Sequence, residues 1–320
     1  MEAEPTRMRS SRVDLEVNRA PVPAVLGVAV VCAGLAYPVT GAALGLTSPA
    51  LIAVSRALVG GLVMLPVLRL VGARLPSTRH GWGWALLIGT GNITATLIGI
   101  SEGTRLAGVA VASVLLNSAP FFAAVFARIW LGERLTRLRV LGLVSGFAGI
   151  VVIVAAEPSS GGSHVVEGAL ICLAGALGWA AAGLGMRYLS VRDPAFDVWG
   201  ATTAQFFCGG ALLLPYLALS GDTVGSEWSS LKLWASLAFL VIGAQVITYV
   251  GFYVALAQWT SARVFSWTFL APAVAVAVEA ARGNLPSTLT TVGLVVVIGG
   301  VAMVTHPRAE AAAGIGGMQR

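Results

Sequence analysis

Apolar runs of about 20 residues recur along the chain, broken by short clusters of charge, proline and glycine. A helix that crosses a bilayer needs ~20 mostly apolar residues. The runs predict ten such helices, at about 22–44, 49–69, 81–101, 105–127, 139–156, 167–188, 195–219, 231–252, 257–280 and 287–305. Pro49, Pro194 and Pro286 stand near predicted helix starts, where a missing N–H costs nothing. The longest interruption, EPSSGGSHVVEG at 157–168, divides the helices into two groups of five. The expected organisation is a disordered tail at 1–20, a first five-helix unit at 21–156 and a connection at 157–166. A second unit at 167–305 and a disordered tail at 306–320 follow. The long apolar run after the first tail has no obvious cleavage site, so it reads as an uncleaved helix, not a removed signal peptide.

The two units echo each other. Residues 59–70 read VGGLVMLPVLRL and residues 208–219 read CGGALLLPYLAL, matched at an offset of 149. Leu35 and Tyr37 sit opposite Leu177 and Trp179 at 142. Gly91, Thr96, Gly99, Ala110, Ala119, Pro120 and Ala123 match Gly243, Thr248, Gly251, Ala262, Ala271, Pro272 and Ala275 at 152. Small loop insertions account for the drift. Internal duplication in a hydrophobic chain is a mark of transporters.

Composition places the chain in the membrane. Of its 320 residues 57% are hydrophobic and 11% charged, whereas a soluble domain is about a quarter charged. The net charge of +6 matters through its distribution. With the N-terminus inside, sixteen arginines fall in tails and loops on the cytoplasmic side. Arg105, Lys232 and Arg282 are the three basic residues on the other side. That asymmetry predicts both termini inside and an even helix count. Five helices per unit then makes the two halves enter the membrane in opposite senses, an inverted repeat. Trp82, Trp84, Trp130, Trp199, Trp228 and Trp234 fall near predicted helix ends, where indole suits the lipid–water boundary. Cys32, Cys172 and Cys208 lie inside apolar runs and read as small packing residues.

Charged and polar residues inside the helices are the candidates for chemistry. Arg56 stands within predicted helix two, where an arginine costs ~2.5–3.5 kcal/mol on insertion scales. It has two readings: a docking point for an anionic or carboxylate-bearing solute, or an internal pair that locks helices together. Its repeat equivalent is Gln205. Arg263 lies a turn or so into helix nine, facing either headgroups or a cavity. Glu279 and Arg282 are three apart and share a helix face. Glu279, like Glu102 near the end of helix three, is either one half of a local ion pair or a coupling carboxylate. Polar groups recur at mid-depth: Asn92, Thr94 and Thr96, then Ser113 and Asn117, then Gln245, Thr248, Tyr249 and Tyr253, then Ser266 and Thr268. Interhelical hydrogen bonds explain many of them without a ligand. Tyr37, Trp179, Tyr249, Tyr253 and Trp267 are the aromatics suited to wall a cavity for an amphipathic solute.

Glycines Gly142, Gly146 and Gly149 in helix five, and Gly293, Gly299 and Gly300 in helix ten, predict close helix approach. Pro120 and Pro272, inside helices four and nine, predict kinks that a gating helix uses. No Walker lysine loop is present, and His80, His164 and His306 are scattered. The expectation is therefore a non-enzyme with no cofactor and no metal.

The run SAPFFAAVFARIWLGERLTRLRVLGLVSGFAGIVVIV, from Ser118 to Val154, resembles the EamA-type signature of the drug/metabolite transporter superfamily. Its marks are Pro120, the LGE at Leu131–Glu133 and a glycine-spaced next helix. Arg56 after Pro49 also resembles that family's second helix. The second copy, LAPAVAVAVEAARGNLPSTLTTVGLVVVIGGVAMV, matches more loosely, with Asn284 near where a second glutamate would stand. The resemblance covers about 21–305. It implies an all-α integral membrane fold of ten transmembrane helices as two inverted five-helix repeats, N-in and C-in. It also implies a central cavity lined mainly by helices 1, 3, 4, 6, 8 and 9, in a family whose members export amino acids, other metabolites or drugs. It favours Tyr37, Asn92, Asn117, Trp179, Tyr249 and Trp267 as cavity residues and leaves Arg56 more peripheral. The expected function is secondary export of a small metabolite or amino acid across the inner membrane by alternating access. Multidrug efflux, or a non-transporting scaffold or sensor, is the alternative. The expected partners are a small solute and the lipid bilayer, with no nucleic acid; a homodimer stays open.

Overall fold

The computed structural model describes residues 21–130, 136–156, 162–193, 196–220, 225–256 and 267–304. Among these every regular element is helical. The first half runs α1 (Val22–Leu44), α2 (Pro49–Leu70), α3 (Arg79–Gly89), α4 (Thr96–Leu116), α5 (Ala119–Trp130) and α6 (Arg137–Ala156). The second half runs α7 (Gly162–Arg192), α8 (Val198–Ser220), α9 (Leu231–Val241), α10 (Thr248–Leu256), α11 (Leu270–Ala281) and α12 (Thr288–Val304). Six helical stretches are long and apolar enough to cross a membrane, the longest being the 38-residue Arg79–Leu116. Shorter apolar helices cover Val140–Gly149, Leu270–Ala281 and Thr288–Gly300.

Two irregularities occur at the same place in each half. A π-helical segment, Thr90–Ala95, joins α3 to α4, and another, Ile242–Ile247, joins α9 to α10. They stand 152 residues apart, the offset at which these parts of the sequence repeat. A threonine hydroxyl supports each widened turn. Thr96 Oγ1 donates to Gly91 O at 3.0 Å and Thr248 Oγ1 to Gly243 O at 3.2 Å, both five residues back. Each hydroxyl also reaches a carbonyl of a neighbouring helix, Gly175 O for Thr96 and Ala29 O for Thr248. Isolated π turns inside α-helices concentrate at functional sites.

The second irregularity changes what the prolines do. Pro120 and Pro272 were expected inside continuous helices. Instead a turn at Asn117–Ser118 separates α4 from α5, and a 3-10 turn, Trp267–Phe269, precedes α11. Pro120 is therefore the second residue of α5 and Pro272 the third of α11. A proline lacks only an N–H that a first helical turn leaves unpaired in any case, so Pro120 begins a helix and does not bend one, and Pro272 stands in the first turn of α11. Another boundary also moves. The sequence suggests a break at 102–104, but the chain stays helical there and turns at Gly108, whose φ is +82°. Glu102 is held by Arg105 and Tyr216, and a Cβ at Gly103 would lie 2.1 Å from Cys172 Sγ, so those residues are packed against neighbours. Gly108, which has no side chain, adopts the positive φ that makes the turn. The helix expected from 167 starts at Gly162.

The halves clasp through their repeated motifs. A Cβ on Gly61 would meet Phe206 and Phe207 at 3.2 Å, and one on Gly210 would meet Leu58 at 2.5 Å and Ala57 at 3.1 Å. Ala57 and Leu58 are the repeat equivalents of Phe206 and Phe207. The GG pairs thus form one α2–α8 crossing in which each half does to the other what is done to it. At α6 and α12 the expected glycine contact is present, with Gly149 against Gly293 and Gly300 against Gly142 and Gly146. Gly299 departs from that expectation: it faces open space, because the adjacent Gly300 occupies the contact face. Segments that the charge pattern assigns to one side also meet. Glu227 N donates to Leu46 O at 2.9 Å, while at the other end Arg74 N donates to Asp197 Oδ2 at 3.0 Å. Trp82, Trp228 and Trp234 are exposed near helix ends, as a membrane-boundary role requires.

Candidate functional site

The most expensive residue of the sequence lies at the centre of the fold. Arg56, in the eighth position of α2, is 2% exposed. Its Nη2 donates to Gln245 Oε1 at 3.0 Å. Gln245 belongs to the second π segment, so the bond joins the two halves. Gly60, one turn beyond Arg56, makes the contact possible: a Cβ there would press on Gln245 Cγ at 3.4 Å. The widened π turn brings the amide towards α2, and the glycine leaves it room.

A second pair repeats this arrangement. Asn92, in the first π segment, donates through Nδ2 to Gln205 Oε1 at 2.9 Å. Gln205 is the repeat equivalent of Arg56, and Gly209, equivalent to Gly60, faces Ile93 as Gly60 faces Gln245. Each half therefore extends a polar group from helix two of its unit to the π segment of the other. The pairs differ in charge: one contains a guanidinium and the other is neutral.

Neither pair is fully satisfied. Arg56 Nε and Nη1, Asn92 Oδ1 and Gln205 Nε2 are buried with no hydrogen-bond partner among the described residues, and so are the hydroxyls of Thr40, Ser101 and Thr104. For Arg56 the balance is unfavourable. A hydrogen bond to a charged group contributes about 1.5–3 kcal/mol. Taking an ion out of water costs several kcal/mol even after relaxation, and an arginine stays protonated throughout. A single neutral amide does not offset that.

The aromatic candidates divide into groups. Tyr37 belongs to the apolar cluster that includes Ala53 and Ala57 on either side of Arg56, and Tyr249 packs against that cluster. Tyr37 Oη accepts from Asn117 Nδ2 at 3.0 Å, and Asn117 Nδ2 also donates to Ser113 O at 2.7 Å. This ties α1 to the break before α5. Tyr249 meets Phe206 edge-on, with ring centroids 5.2 Å apart. Trp179 packs elsewhere, among Ala119, Ala176 and Phe122, and Trp267 packs among Val22, Leu26 and Phe252. The structure thus gathers Tyr37 and Tyr249 in the cluster around α2, joins Asn117 to Tyr37, and places Asn92 in the companion pair. Arg56 is not peripheral as the family resemblance implies, since Gln245 reaches across to it. Arg263 lies outside the described residues, as do the side chains of Tyr253 and Pro120 and the LGE at Leu131–Glu133.

The two carboxylates are engaged locally. Glu102 Oε2 accepts from Arg105 Nε at 2.6 Å and Oε1 from the Tyr216 hydroxyl. Glu279 Oε1 accepts from Arg282 Nη1 and Oε2 from Asn284 Nδ2, each at 2.9 Å. Arg282 Nη1 also reaches Pro38 O at 3.1 Å, fastening α11 to α1. Phe206 and Tyr216 went unnoticed in sequence. Phe206 was findable as the neighbour of the Arg56 equivalent; nothing in the local pattern marks Tyr216. Among the described residues no group of acidic, histidine or cysteine side chains could hold a metal.

A helical membrane protein with two repeated halves and polar cross-links at its centre has the architecture of a multi-pass transporter. The comparisons agree. The EamA-like transporter family matches this chain twice, over residues 24–155 and 166–306, and the chain belongs to that family. An uncharacterised transporter of Bacillus subtilis, YvbV, is 29% identical over 296 residues, 91% of this chain and 94% of its own length. An uncharacterised inner membrane transporter of Escherichia coli K12, YedA, is 24% identical over 80% of this chain and 81% of its own. A probable terminal-alkyne amino-acid exporter of Streptantibioticus cattleyicolor is 26% identical over 74% of this chain and 77% of its own. A crystal structure at 21% identity superposes with a TM-score of 0.62, covering 91% of this chain and 98% of its own, which shows the shared fold. The protein is a multi-pass membrane transporter of the EamA family.

Proposed function

We propose that the protein is a secondary transporter of the inner membrane that exports amino acids or other small metabolites by alternating access. Ten crossings form two inverted five-helix halves, with both chain ends on the cytoplasmic side. The observation that carries this reading is the paired irregularity of the fold. Both halves carry irregularities at equivalent positions, with π segments at Thr90–Ala95 and Ile242–Ile247, a turn before α5 and a 3-10 turn before α11. Broken helices around a central site, related by an internal symmetry, are what rocking of one half against the other uses. The positive-inside asymmetry supports the orientation. The exporter from Streptantibioticus supports amino acids as the solute class.

The test is flux in proteoliposomes. Purified protein is expected to accelerate release of at least one of L-leucine, L-phenylalanine and L-threonine above empty vesicles. A Tyr249→Ala variant is expected to reduce that release at equal reconstitution. No acceleration for any of the three overturns the reading as stated.

A further inference from the structure

We infer that the Arg56 guanidinium docks the carboxylate of the transported solute, so that the protein selects carboxylate-bearing solutes. This rests on the transport reading above and assigns a substrate class to it.

The inference follows from where the negative charges are. Arg56 is 2% exposed, bonds to one neutral amide and leaves donors on two of its three nitrogens without partners among the described residues. The chain has fourteen acidic residues. Three of them, Glu102, Glu167 and Glu279, lie in described helices. Glu102 and Glu279 have both oxygens occupied by their own neighbours, and Glu167 is exposed beside His164. The other acidic residues fall in polar stretches between or beyond the apolar runs. The protein therefore places a permanent cation at its centre and provides no carboxylate for it among the described residues. An anion from outside completes the site, and a carboxylate matches guanidinium geometry closely.

The surroundings define the rest of the solute. The Tyr249–Phe206 pair supplies an aromatic wall, and Tyr37 is hydrogen-bonded to Asn117 at the break before α5. These suit an apolar or aromatic body attached to the carboxylate. Among the described residues no carboxylate is free to meet an amino group of the solute, so the amino group is dispensable and the carboxylate is not. Docking also has a mechanical consequence. The Arg56–Gln245 bond spans the two halves, and a solute carboxylate that replaces the amide releases α2 from the second π segment. Binding then removes one of the contacts that hold the halves together.

The experiment uses full-length protein in proteoliposomes. The solutes are L-leucine, L-phenylalanine and L-threonine, each compared with its carboxamide and its deaminated acid. Wild type is expected to move acids at least about tenfold faster than the matching carboxamides, as expected from the loss of hydrogen bonds to a charged group. Deaminated acids should be moved at rates comparable to the amino acids. Arg56→Gln is expected to abolish the discrimination. Gln245→Glu, which supplies an internal carboxylate, is expected to raise the KM for acids by roughly tenfold while the protein stays monodisperse. Carboxamides moved as fast as acids by wild type overturn the inference, and so does unchanged acid selectivity in folded Arg56→Gln. Unchanged KM in Gln245→Glu overturns it too, and keeps the test available if Arg56→Gln does not fold. Absence of flux for every solute with wild type overturns the transport reading instead.

Discussion

Charge inside this bundle is handled in two ways. Glu102 and Glu279 sit three residues before an arginine, and a second side chain takes the remaining oxygen, Tyr216 for one and Asn284 for the other. Such carboxylates have their charge answered locally. Among the described residues Arg56 has no such carboxylate, and Gln245 is its hydrogen-bond partner. That contrast separates structural charges from the candidate working one, and spacing along the sequence predicts only the first kind. The Tyr37–Asn117 bond is a separate local question. We expect Tyr37→Phe and Asn117→Ala each to lower unfolding free energy by about 1 kcal/mol, with the double variant losing little more than either single one. Denaturant titration in detergent measures all three, and fully additive losses would show that the two side chains are not coupled.

At the scale of elements, the glycines show how little a helical wheel settles. Gly299 and Gly300 are adjacent in α12, and sequence spacing treats both as contact residues. Gly300 has the carbonyl of Gly142 2.7 Å from where its Cβ would be, whereas Gly299 has nothing within 4 Å. Gly300→Ala forces α6 and α12 apart, at a cost on the order of 1–3 kcal/mol by analogy with overpacked cores. Gly299→Ala is expected to be neutral or to stabilise by up to about 1 kcal/mol through helix propensity. Thermal unfolding of the two variants side by side checks the prediction, and equal effects would contradict it. The π segments teach the same lesson. Thr96 and Thr248 were visible as polar residues at mid-depth, but nothing local says that their hydroxyls bond five residues back. The wider turn is favoured by the helix alongside it, which offers each hydroxyl a second carbonyl.

For the molecule as a whole, the proposed inversion of the halves is the property from which the proposed alternating access would follow. It rests on the arginine asymmetry and agrees with the grouping of loops, Glu227 with Leu46 and Arg74 with Asp197. Labelling of single cysteines tests it directly. In a background with Cys32, Cys172 and Cys208 replaced by alanine, Ser229→Cys is expected to react with an impermeant maleimide in intact cells. Ser77→Cys, exposed at the Arg74 end, is expected to react only after permeabilisation. The opposite pattern would reverse the orientation, and reaction of both in intact cells would break the alternation of the helices.

The sequence by itself determined the membrane class, the duplication and the family. Each depends on composition and period within continuous runs of chain. It also singled out Arg56, because a buried charge is costly wherever it points. Only the tertiary structure decided what Arg56 meets. Gln245 lies 189 residues away, and it reaches Arg56 through a π turn and across the missing side chain of Gly60. The same structure separated Tyr37 and Tyr249 from Trp179 and Trp267, four aromatics that look alike in sequence. Hydropathy records that a residue leaves water, but the partner it finds is set by how distant helices cross.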